Sequence, residues 1–301
     1  MARPVTTPRR GRPDSRRPAQ RTTRPPARTR PKIQAPSGPR FGPTKGIVAV
    51  RLFAGLPFIV AVALIAVGAS GVLGTGGTVA LVVVGVVAAL IGLVNGALGS
   101  SRRVLSALPG RVAQSSTDSR LINLVDGLCF AFGLPLPRLL VVDSVAPNAI
   151  ALGRTPQTTT LVITTGALSL LDRIELEGLL AHELAHVRRG DTARASLVTR
   201  SIGVAVLLSE RAGALGARLA GPDRESLADF AAITVTRYPP ALADALEALS
   251  GAPSVCPSGL SPLVVRLTSW QWCAPLESVD TEHRRAGQLD LDERIAALRE
   301  L

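Results

Sequence analysis

Cysteine is scarce in this sequence, and its scarcity excludes two kinds of architecture. The 301 residues include only Cys129, Cys256 and Cys273, with no CxxC pair. Such a small, odd set provides neither a disulfide framework nor a thiolate metal site. Cys129 lies in an apolar run and is expected to be a buried structural thiol. Cys256 and Cys273 could form a disulfide only in an oxidising compartment, which the topology predicted below argues against.

Excess charge is absent from most of the chain. Residues 1–45 hold thirteen Arg or Lys and one acid, whereas the remainder holds 21 basic and 21 acidic residues. The formal net charge of +12 therefore belongs to the N-terminal segment. This balance excludes a basic nucleic-acid-binding surface spread over the whole chain.

The basic segment 1–45 also lacks apolar surface to bury, and it contains ten prolines. We therefore expect a disordered Arg/Pro-rich tail. It could attract anionic lipid headgroups, contact nucleic acid loosely, or act only as a solvated tail that fixes orientation. We expect no specific nucleic-acid partner.

Charged side chains are missing altogether from residues 52–99. A membrane-spanning helix needs about 20 apolar residues, so this stretch allows two spans, 52–70 and 78–98, joined by a glycine-rich turn. The sequence thus predicts a transmembrane helical hairpin over 46–99. Basic residues flank both ends of it, and the positive-inside rule places both ends in the cytoplasm. We therefore expect a multi-pass protein of the cell membrane, with the tail and the following domain cytoplasmic.

Residues 100–301 have a globular pattern that predicts an α+β domain, mainly helical with a small β-sheet. Short apolar runs bounded by turn residues predict strands, and longer periodic runs predict helices. The predicted strands are 138–142, 148–152 and 158–164. The predicted helices are 118–132, 166–171, 173–189, 193–219, 224–236, 240–250 and 292–301. The helix over 193–219 is expected to be amphipathic and to lie against the domain or the membrane surface.

An HExxH motif, His182-Glu183-Leu184-Ala185-His186, lies in the predicted helix 173–189. Residues four apart share a helix face, so His182 and His186 can reach one zinc ion. Glu183 can then lie beside the metal without binding it and act as a general base towards water. The chain has only three histidines, which makes this spacing informative. The alternative is an ordinary cluster of two histidines and a carboxylate.

A third ligand cannot come from a metzincin-type extension of the motif, because Arg189 and Thr192 occupy the places of its glycine and its third histidine. A carboxylate on another helix is the alternative. Glu225 and Asp229 are four residues apart and face the same way. Glu225 could bind the metal, and Asp229 could fix the tautomer of a ligand histidine. Two acids on a solvated helix face are the competing interpretation.

Residues 118–301 resemble the HtpX-type membrane peptidases, bacterial relatives of the CAAX prenyl endopeptidase. The resemblance rests on the HExxH motif and on four further segments: Leu134-Pro135 before a strand, Pro147-Asn148-Ala149, Thr164-Thr165-Gly166-Ala167-Leu168 and Glu225-Ser226-Leu227-Ala228-Asp229. It implies a zincin-type fold of the gluzincin class.

The resemblance also implies roles for individual residues. His182, His186 and Glu225 would bind one zinc ion, with Glu183 as general base and Asp229 orienting a ligand. The strand beginning with Asn148 and Ala149 would border the substrate cleft, where its backbone could pair with an extended peptide. His283 and Arg294 are the implied candidates for stabilising the oxyanion, although the spacing between them departs from the family pattern.

These observations predict a membrane-anchored zinc metalloendopeptidase that acts on polypeptides, with misfolded membrane or cytoplasmic proteins as the implied substrates in protein quality control. One alternative is a non-enzymatic membrane adaptor with a structural or degenerate metal site. Another is a membrane-tethered nucleic-acid binder that uses the tail.

Overall fold

The computed structural model describes residues 47–70, 74–98, 101–252, 264, 267, 271–272 and 290–301. The predicted tail and three residues discussed above, Cys256, Cys273 and His283, lie outside the described residues. Helices predominate, and four short strands form one mixed sheet. The expectation of a mainly helical fold with a small sheet is therefore confirmed.

The helices are α1 (Ile47–Ala69), α2 (Gly74–Leu98), α3 (Ser101–Ala107), α4 (Ser119–Phe132), α5 (Thr165–Leu170), α6 (Arg173–Arg189), α7 (Asp191–Leu208), α8 (Glu210–Ala220), α9 (Arg224–Thr236), α10 (Pro239–Gly251) and α11 (Leu291–Arg299). The strands are β1 (Gly110–Val112), β2 (Arg138–Val142), β3 (Ala149–Leu152) and β4 (Thr160–Thr164), with a short 3-10 turn at Pro156–Thr158.

The sheet has the order β1-β2-β4-β3, so β3 lies at one edge of it. β2 and β4 are parallel, while β1 pairs with β2 and β3 pairs with β4 in the antiparallel sense. One face packs on α4, α6, α9 and α10, and the other packs on α3. Burial on both faces explains why these strands have unbroken apolar sequences. β1 was not predicted, because its three residues are too few to show a periodic pattern.

α6 is the central helix of the domain and packs on α4, α9, α10 and β3. Its approach to α10 is close enough to require a glycine. A Cβ atom on Gly178 would lie 2.8 Å from the backbone nitrogen of Leu242. The two backbones are therefore in contact, and the position of α6 is fixed by shape rather than by adjustable side chains.

The predicted single helix over 193–219 is wrong, because the structure has two helices there. α7 ends at Leu208 and α8 begins at Glu210. Ser209 between them is extended, with φ −152° and ψ 131°. Serine competes with the helical backbone and favours helix ends, but apolar periodicity continues across the break and hides it. α7 packs against α1 and α2 on one side and against α6 and β3 on the other.

α1 and α2 run antiparallel and pack closely. Gly68 faces Thr78 and Val82, and Gly85 faces Ala61 and Ile65. In the described part of the chain, one helix is long and apolar enough to cross a bilayer, Gly74–Val94, while the apolar stretch Phe58–Ala69 is shorter. The second span therefore has support, and the first remains a prediction. α2 also begins four residues before the predicted span, at Gly74.

Candidate metal centre

α6 carries both histidines of the HExxH motif and has a defined start and end. The Asp172 carboxylate accepts hydrogen bonds of 2.7 and 2.8 Å from the N–H groups two and three residues further on. Glu175 in turn accepts a 2.7 Å bond from the N–H of Asp172, which completes a capping box. Gly190 ends the helix with a left-handed φ of 80°. These caps define both ends of the helix, within which His182 and His186 share one face because they are four residues apart.

α9 supplies the two acids that face this histidine pair. Glu225 and Asp229 lie one turn apart, and both are buried together with His182 and His186. α9 packs along α6, and Ala228 and Ala232 between the helices are fully buried. Small side chains allow the two helices to approach closely, so that short carboxylates reach the imidazoles.

Three potential ligand atoms converge on one point. Nε2 of His182 and Nε2 of His186 are 3.1 Å apart, and Oε2 of Glu225 lies 3.3 Å from the first and 3.5 Å from the second. A tetrahedral zinc ion with bonds of about 2.0–2.2 Å holds its ligand atoms about 3.3–3.6 Å apart. The donor set of two imidazoles and one carboxylate therefore has both the chemistry and the spacing of a zinc site.

The outer nitrogen of each imidazole lies against a carboxylate. Nδ1 of His186 is 3.2 Å from Oδ2 of Asp191, in a hydrogen bond. Nδ1 of His182 is 2.7 Å from Oδ1 of Asp229, although this close contact lacks the linear geometry of an ideal hydrogen bond. A carboxylate at Nδ1 favours the tautomer that leaves Nε2 free to bind a metal.

The electrostatic field at the histidine pair favours a positive charge. Burial lowers the pKa of His186, but Glu225 and Asp191 raise it by more than burial lowers it, so that the pKa is about 9. Burial lowers the pKa of His182 as well, and Asp229 and Glu225 outweigh that effect, so it too is raised. A raised imidazole pKa means that the surroundings stabilise a cation there, whether it is a proton or a metal ion.

The carboxylates themselves are held in their charged form. Burial raises the pKa of Glu225, but Arg224 and His186 lower it more, so the net pKa lies well below the ordinary value. Burial likewise raises the pKa of Asp229, and Arg294 and His182 bring it down to about 2. Both groups are therefore anionic at neutral pH and suited to a divalent cation.

Residues 115–250 match the model of peptidase family M48. The chain is also similar to proteins named protease HtpX homolog. That of Dictyoglomus thermophilum is 34% identical over 162 residues, which cover 43% of this chain and 54% of the relative. That of Acidiphilium cryptum is 38% identical over 134 residues, which cover 44% and 45%. That of Tropheryma whipplei is 33% identical over 184 residues, which cover 50% and 63%.

The chain is thus similar, over residues 115–250, to M48 peptidases of the HtpX type. It spans about half the length of the first of these relatives. Because M48 peptidases are metallopeptidases, a metal cofactor is implied, and His182, His186 and Glu225 form a cluster that could hold it. The recognition of an HtpX-like peptidase from the sequence is thereby confirmed.

Glu183 is buried beside the metal cluster and points towards the edge strand. Burial raises its pKa, which the nearby His186 and His182 partly lower, as does the nearby backbone N–H of Ala151 in β3. Glu183 and His186 line a cavity of about 10 Å³, close to the smallest volume that holds one water molecule. A carboxylate with a raised pKa in this position can accept a proton from water and release it again.

Arg294 reaches the centre from α11, but its main contact is with Asp229. Its Nε and one terminal nitrogen donate 2.8 Å hydrogen bonds to the two oxygens of that carboxylate. The other terminal nitrogen lies 3.6 Å from Oε2 of Glu225. This bidentate pair fixes the carboxylate that contacts His182. Stabilisation of an oxyanion by Arg294 stays a prediction, as does that by His283, which lies outside the described residues.

Asn148 directly precedes edge strand β3, and Ala149 is the first residue of that strand. The N–H of Asn148 bonds to Thr164 at 2.8 Å, and the Asn148 carbonyl accepts a 3.0 Å bond from the N–H of the same residue on β4. The Asn148 side chain accepts a 2.9 Å bond from the N–H of Ala149. These bonds tie the start of β3 to the sheet, and β3 in turn packs on α6.

Two charged residues of the centre had no role in the sequence analysis. Asp191 holds His186 and also accepts a 3.0 Å hydrogen bond from Nε of Arg189. Arg224 lies 2.7 Å from Oε1 of Glu225 and is buried. The position of Asp191 immediately after the Gly190 helix end was a signal, because it starts the next helix within reach of the last turn of α6. Arg224 gave no comparable signal.

Proposed function

We propose that this chain is a membrane-anchored zinc metalloendopeptidase. The observation that supports it best is the triangle of His182 Nε2, His186 Nε2 and Glu225 Oε2, with sides of 3.1, 3.3 and 3.5 Å, on a domain similar to M48 peptidases. Three protein ligands leave one position of a tetrahedral zinc ion for water. That arrangement is typical of catalytic sites rather than of closed structural ones.

In this proposal zinc, when bound, polarises the scissile carbonyl and lowers the pKa of water. Glu183 accepts a proton from the attacking water and passes it to the leaving amine. The raised pKa of Glu183 suits both halves of this transfer. Asp191 and Asp229 orient the two imidazoles, and Arg294 holds Asp229 in place.

The proposed polypeptide substrate binds along β3. This strand is at the edge of the sheet, begins at Ala149 and directly follows Asn148, so an extended peptide could add to it through backbone hydrogen bonds. Ala151 of the same strand lines a small cavity together with Glu183, which would bring a peptide on this edge close to the general base. Misfolded membrane proteins are the proposed substrates.

The membrane placement is part of the same proposal. We take 46–99 as a hairpin of two spans, 100–301 as the peptidase domain, and 1–45 as a cytoplasmic tail able to contact anionic headgroups. Support comes from the apolar helix Gly74–Val94 and its partner α1. Resistance to extraction with alkaline carbonate tests the anchoring. Protease protection of the tail and the domain in sealed vesicles tests the orientation.

The activity is tested with the purified full chain in detergent micelles, loaded with zinc and incubated with casein. We expect cleavage that a chelator stops and added zinc restores. Glu183→Gln should retain zinc but lose about 10²–10⁴-fold in rate. Full activity of that variant would overturn the mechanism. Zinc binding without cleavage of casein or of membrane proteins would instead support the adaptor function.

A further inference from the structure

A second, larger cavity has no described lining residue in common with the metal centre. It has a volume of about 760 Å³ and lies between α3, the loop from β3 to β4, and α7. We call it the boundary cavity and define it by six polar lining residues: Ser101, Arg102, Arg154, Thr155, Thr158 and Arg200. Its volume is within the usual range of about 300–1,000 Å³ for small-molecule sites.

The charge in the boundary cavity is entirely positive. Of its lining residues in the described part of the chain, three are arginines and none is acidic. Among the residues that the structure describes, none forms an ion pair or a side-chain hydrogen bond with Arg102, Arg154 or Arg200. Burial lowers the pKa of Arg154, and the nearby Arg200 lowers it further. Converging cations without a counter-charge repel each other, so an anion in this cavity would be stabilised.

Ser196 of α7 forms hydrogen bonds with the two other elements that bound the cavity. Its hydroxyl is 2.9 Å from the hydroxyl of Ser101 on α3, and it donates a 3.1 Å hydrogen bond to the carbonyl of Gly153 in the β3–β4 loop. Ser196 itself is buried. One residue of α7 therefore ties together the other two elements that bound the cavity, and the three arginines project from a connected frame.

The position of the cavity relates it to the membrane. α3 begins at Ser101, just after α2 ends at Leu98. A terminal nitrogen of Arg200 lies 3.7 Å from the place that a Cβ atom on Gly96 would take, near the end of α2. Leu105 and Leu197 add apolar surface to the lining. Cations beside apolar side chains at the end of a membrane helix suit a ligand that is both anionic and apolar.

We propose that the boundary cavity binds the phosphodiester headgroup of an anionic phospholipid. This inference rests on the membrane anchoring in the proposed function, but not on peptidase activity. Arg102, Arg154 and Arg200 would contact the phosphate oxygens, and Thr155 and Thr158 could donate further hydrogen bonds. Leu105 and Leu197 would lie against the first part of the acyl chains. A soluble phosphate would use the arginines but gain nothing from the leucines, and an acidic polypeptide would not need the proximity to α2.

The test uses the purified full chain in uncharged detergent micelles and native mass spectrometry, which resolves individual lipid-binding events. Phosphatidylglycerol and phosphatidylcholine are titrated in parallel, with inorganic phosphate and glycerol phosphate as competitors. The variant Arg154→Gln/Arg200→Gln is compared with Arg103→Gln/Arg173→Gln. The two arginines of the control pair are exposed and lie outside the cavity. Both variants lose two positive charges and keep the same tail, so non-specific attraction of anionic lipid is the same in both.

We expect the first phosphatidylglycerol molecule to bind more tightly than those that follow. We also expect it to bind at least about tenfold more tightly than phosphatidylcholine. Arg154→Gln/Arg200→Gln should weaken that first event by about tenfold or more, while the control pair changes it by less than about twofold. Equal binding of both lipids, or equal behaviour of the two variants, would overturn the proposal. So would inorganic phosphate that competes as strongly as the lipid, or an acidic peptide that binds in its place.

Because mass reports lipid retention directly, an inactive peptidase can still give either result. Failure of the lipid proposal is therefore distinguishable from failure of the proposed catalytic function. Carbonate extraction addresses membrane anchoring separately.

Discussion

The metal centre and the boundary cavity collect charge in opposite ways. In the centre, buried anions and cations alternate: Glu225 contacts Arg224, and Asp229 contacts both His182 and Arg294. In the cavity, three arginines share one space, and none of the described lining residues is acidic. The centre is a network of paired charges with one point, between the imidazoles and Glu225, where a cation is favoured. The cavity is a set of like charges where an anion is favoured.

The difference shows which kind of ligand each place can hold. Buried charges are costly unless paired, and the pairing in the centre allows its charged side chains to be buried. Unpaired arginines avoid that cost only if they stay partly exposed, as Arg102 and Arg154 do. The cavity therefore lies open at the edge of the domain, beside the apolar helices. Four predictions challenge or sharpen this contrast.

Removing the anion that completes the metal triangle should have the largest effect. Glu225→Ala leaves His182 and His186 beside Arg224 with one ligand missing, so the centre acquires the unpaired cationic character of the boundary cavity. We expect zinc affinity to fall by about a hundredfold to a thousandfold, because one of four ligands accounts for about a quarter of some 10–16 kcal/mol. Zinc content after dialysis against a graded chelator measures this.

The matched control for that change is Glu177→Ala, which removes a half-buried acid on α6 outside the cluster. It should retain zinc like the parent. If Glu225→Ala kept its zinc, the carboxylate would not be a ligand, and the assignment of the centre would fail.

Removing a carboxylate that only orients a ligand should have an intermediate effect. Asp229→Asn weakens the contact with His182 and removes the negative charge that accepts both 2.8 Å hydrogen bonds from Arg294. We expect a loss of about 10–100-fold in zinc affinity, with a parallel fall in peptidase rate at limiting zinc. Asp223→Asn, an exposed acid next to the start of α9, is the control and should change neither. An affinity of Asp229→Asn equal to that of the control would show that the imidazole needs no such support.

The rigidity of the centre can be tested through the contact between α6 and α10. Gly178→Ala places a methyl group 2.8 Å from the backbone nitrogen of Leu242, so we expect a loss of about 1–3 kcal/mol in unfolding free energy. Gly127 lies on the exposed face of α4, and a Cβ atom there would meet no atom within 4 Å. For Gly127→Ala we therefore expect a gain of about 0.5–1 kcal/mol in unfolding free energy. Thermal unfolding of both variants measures the difference. Equal stability would mean that α6 can shift, contrary to a fixed site.

The smallest effect is expected at a paired but partly exposed ion pair, Arg111–Asp118. Asp118 accepts hydrogen bonds of 2.5 and 2.8 Å from Arg111 and one of 2.9 Å from the N–H of Gln114. The bond with Arg111 holds the pKa of Asp118 below its ordinary value. A depressed carboxyl pKa stabilises the fold above the unfolded pKa, and this stabilisation is lost as the pH falls through the folded pKa.

Asp118→Asn should therefore cost about 1 kcal/mol at neutral pH, a modest value because Arg111 is half exposed. Unfolding free energies of the parent and the variant should converge as the pH drops from about 5 to below 4. Asp126 is an exposed acid on α4, the helix that Asp118 directly precedes, and Asp126→Asn serves as the reference. A difference between parent and variant that did not change with pH would contradict the role of this charge.

The sequence predicted the HExxH helix well, because its signals are local. The capping box at Asp172 and the terminal Gly190 determine the first and last residues of α6, and both can be recognised without any tertiary contact. The break at Ser209 could not be predicted, since α7 and α8 are each apolar on the sides that they bury. β1 escaped for a related reason: its three residues become a strand only because β2 lies beside them.

By itself, the sequence determined that two imidazoles share one helix face, that an uncharged stretch follows a basic tail, and that Glu225 and Asp229 lie one helical turn apart. These follow from the geometry of single helices and from composition. Only the tertiary structure decided which carboxylate meets which nitrogen, that Arg294 engages Asp229, and that Arg102, Arg154 and Arg200 line one cavity. Such pairings join residues far apart in the chain, and they depend on how the helices pack rather than on any local pattern.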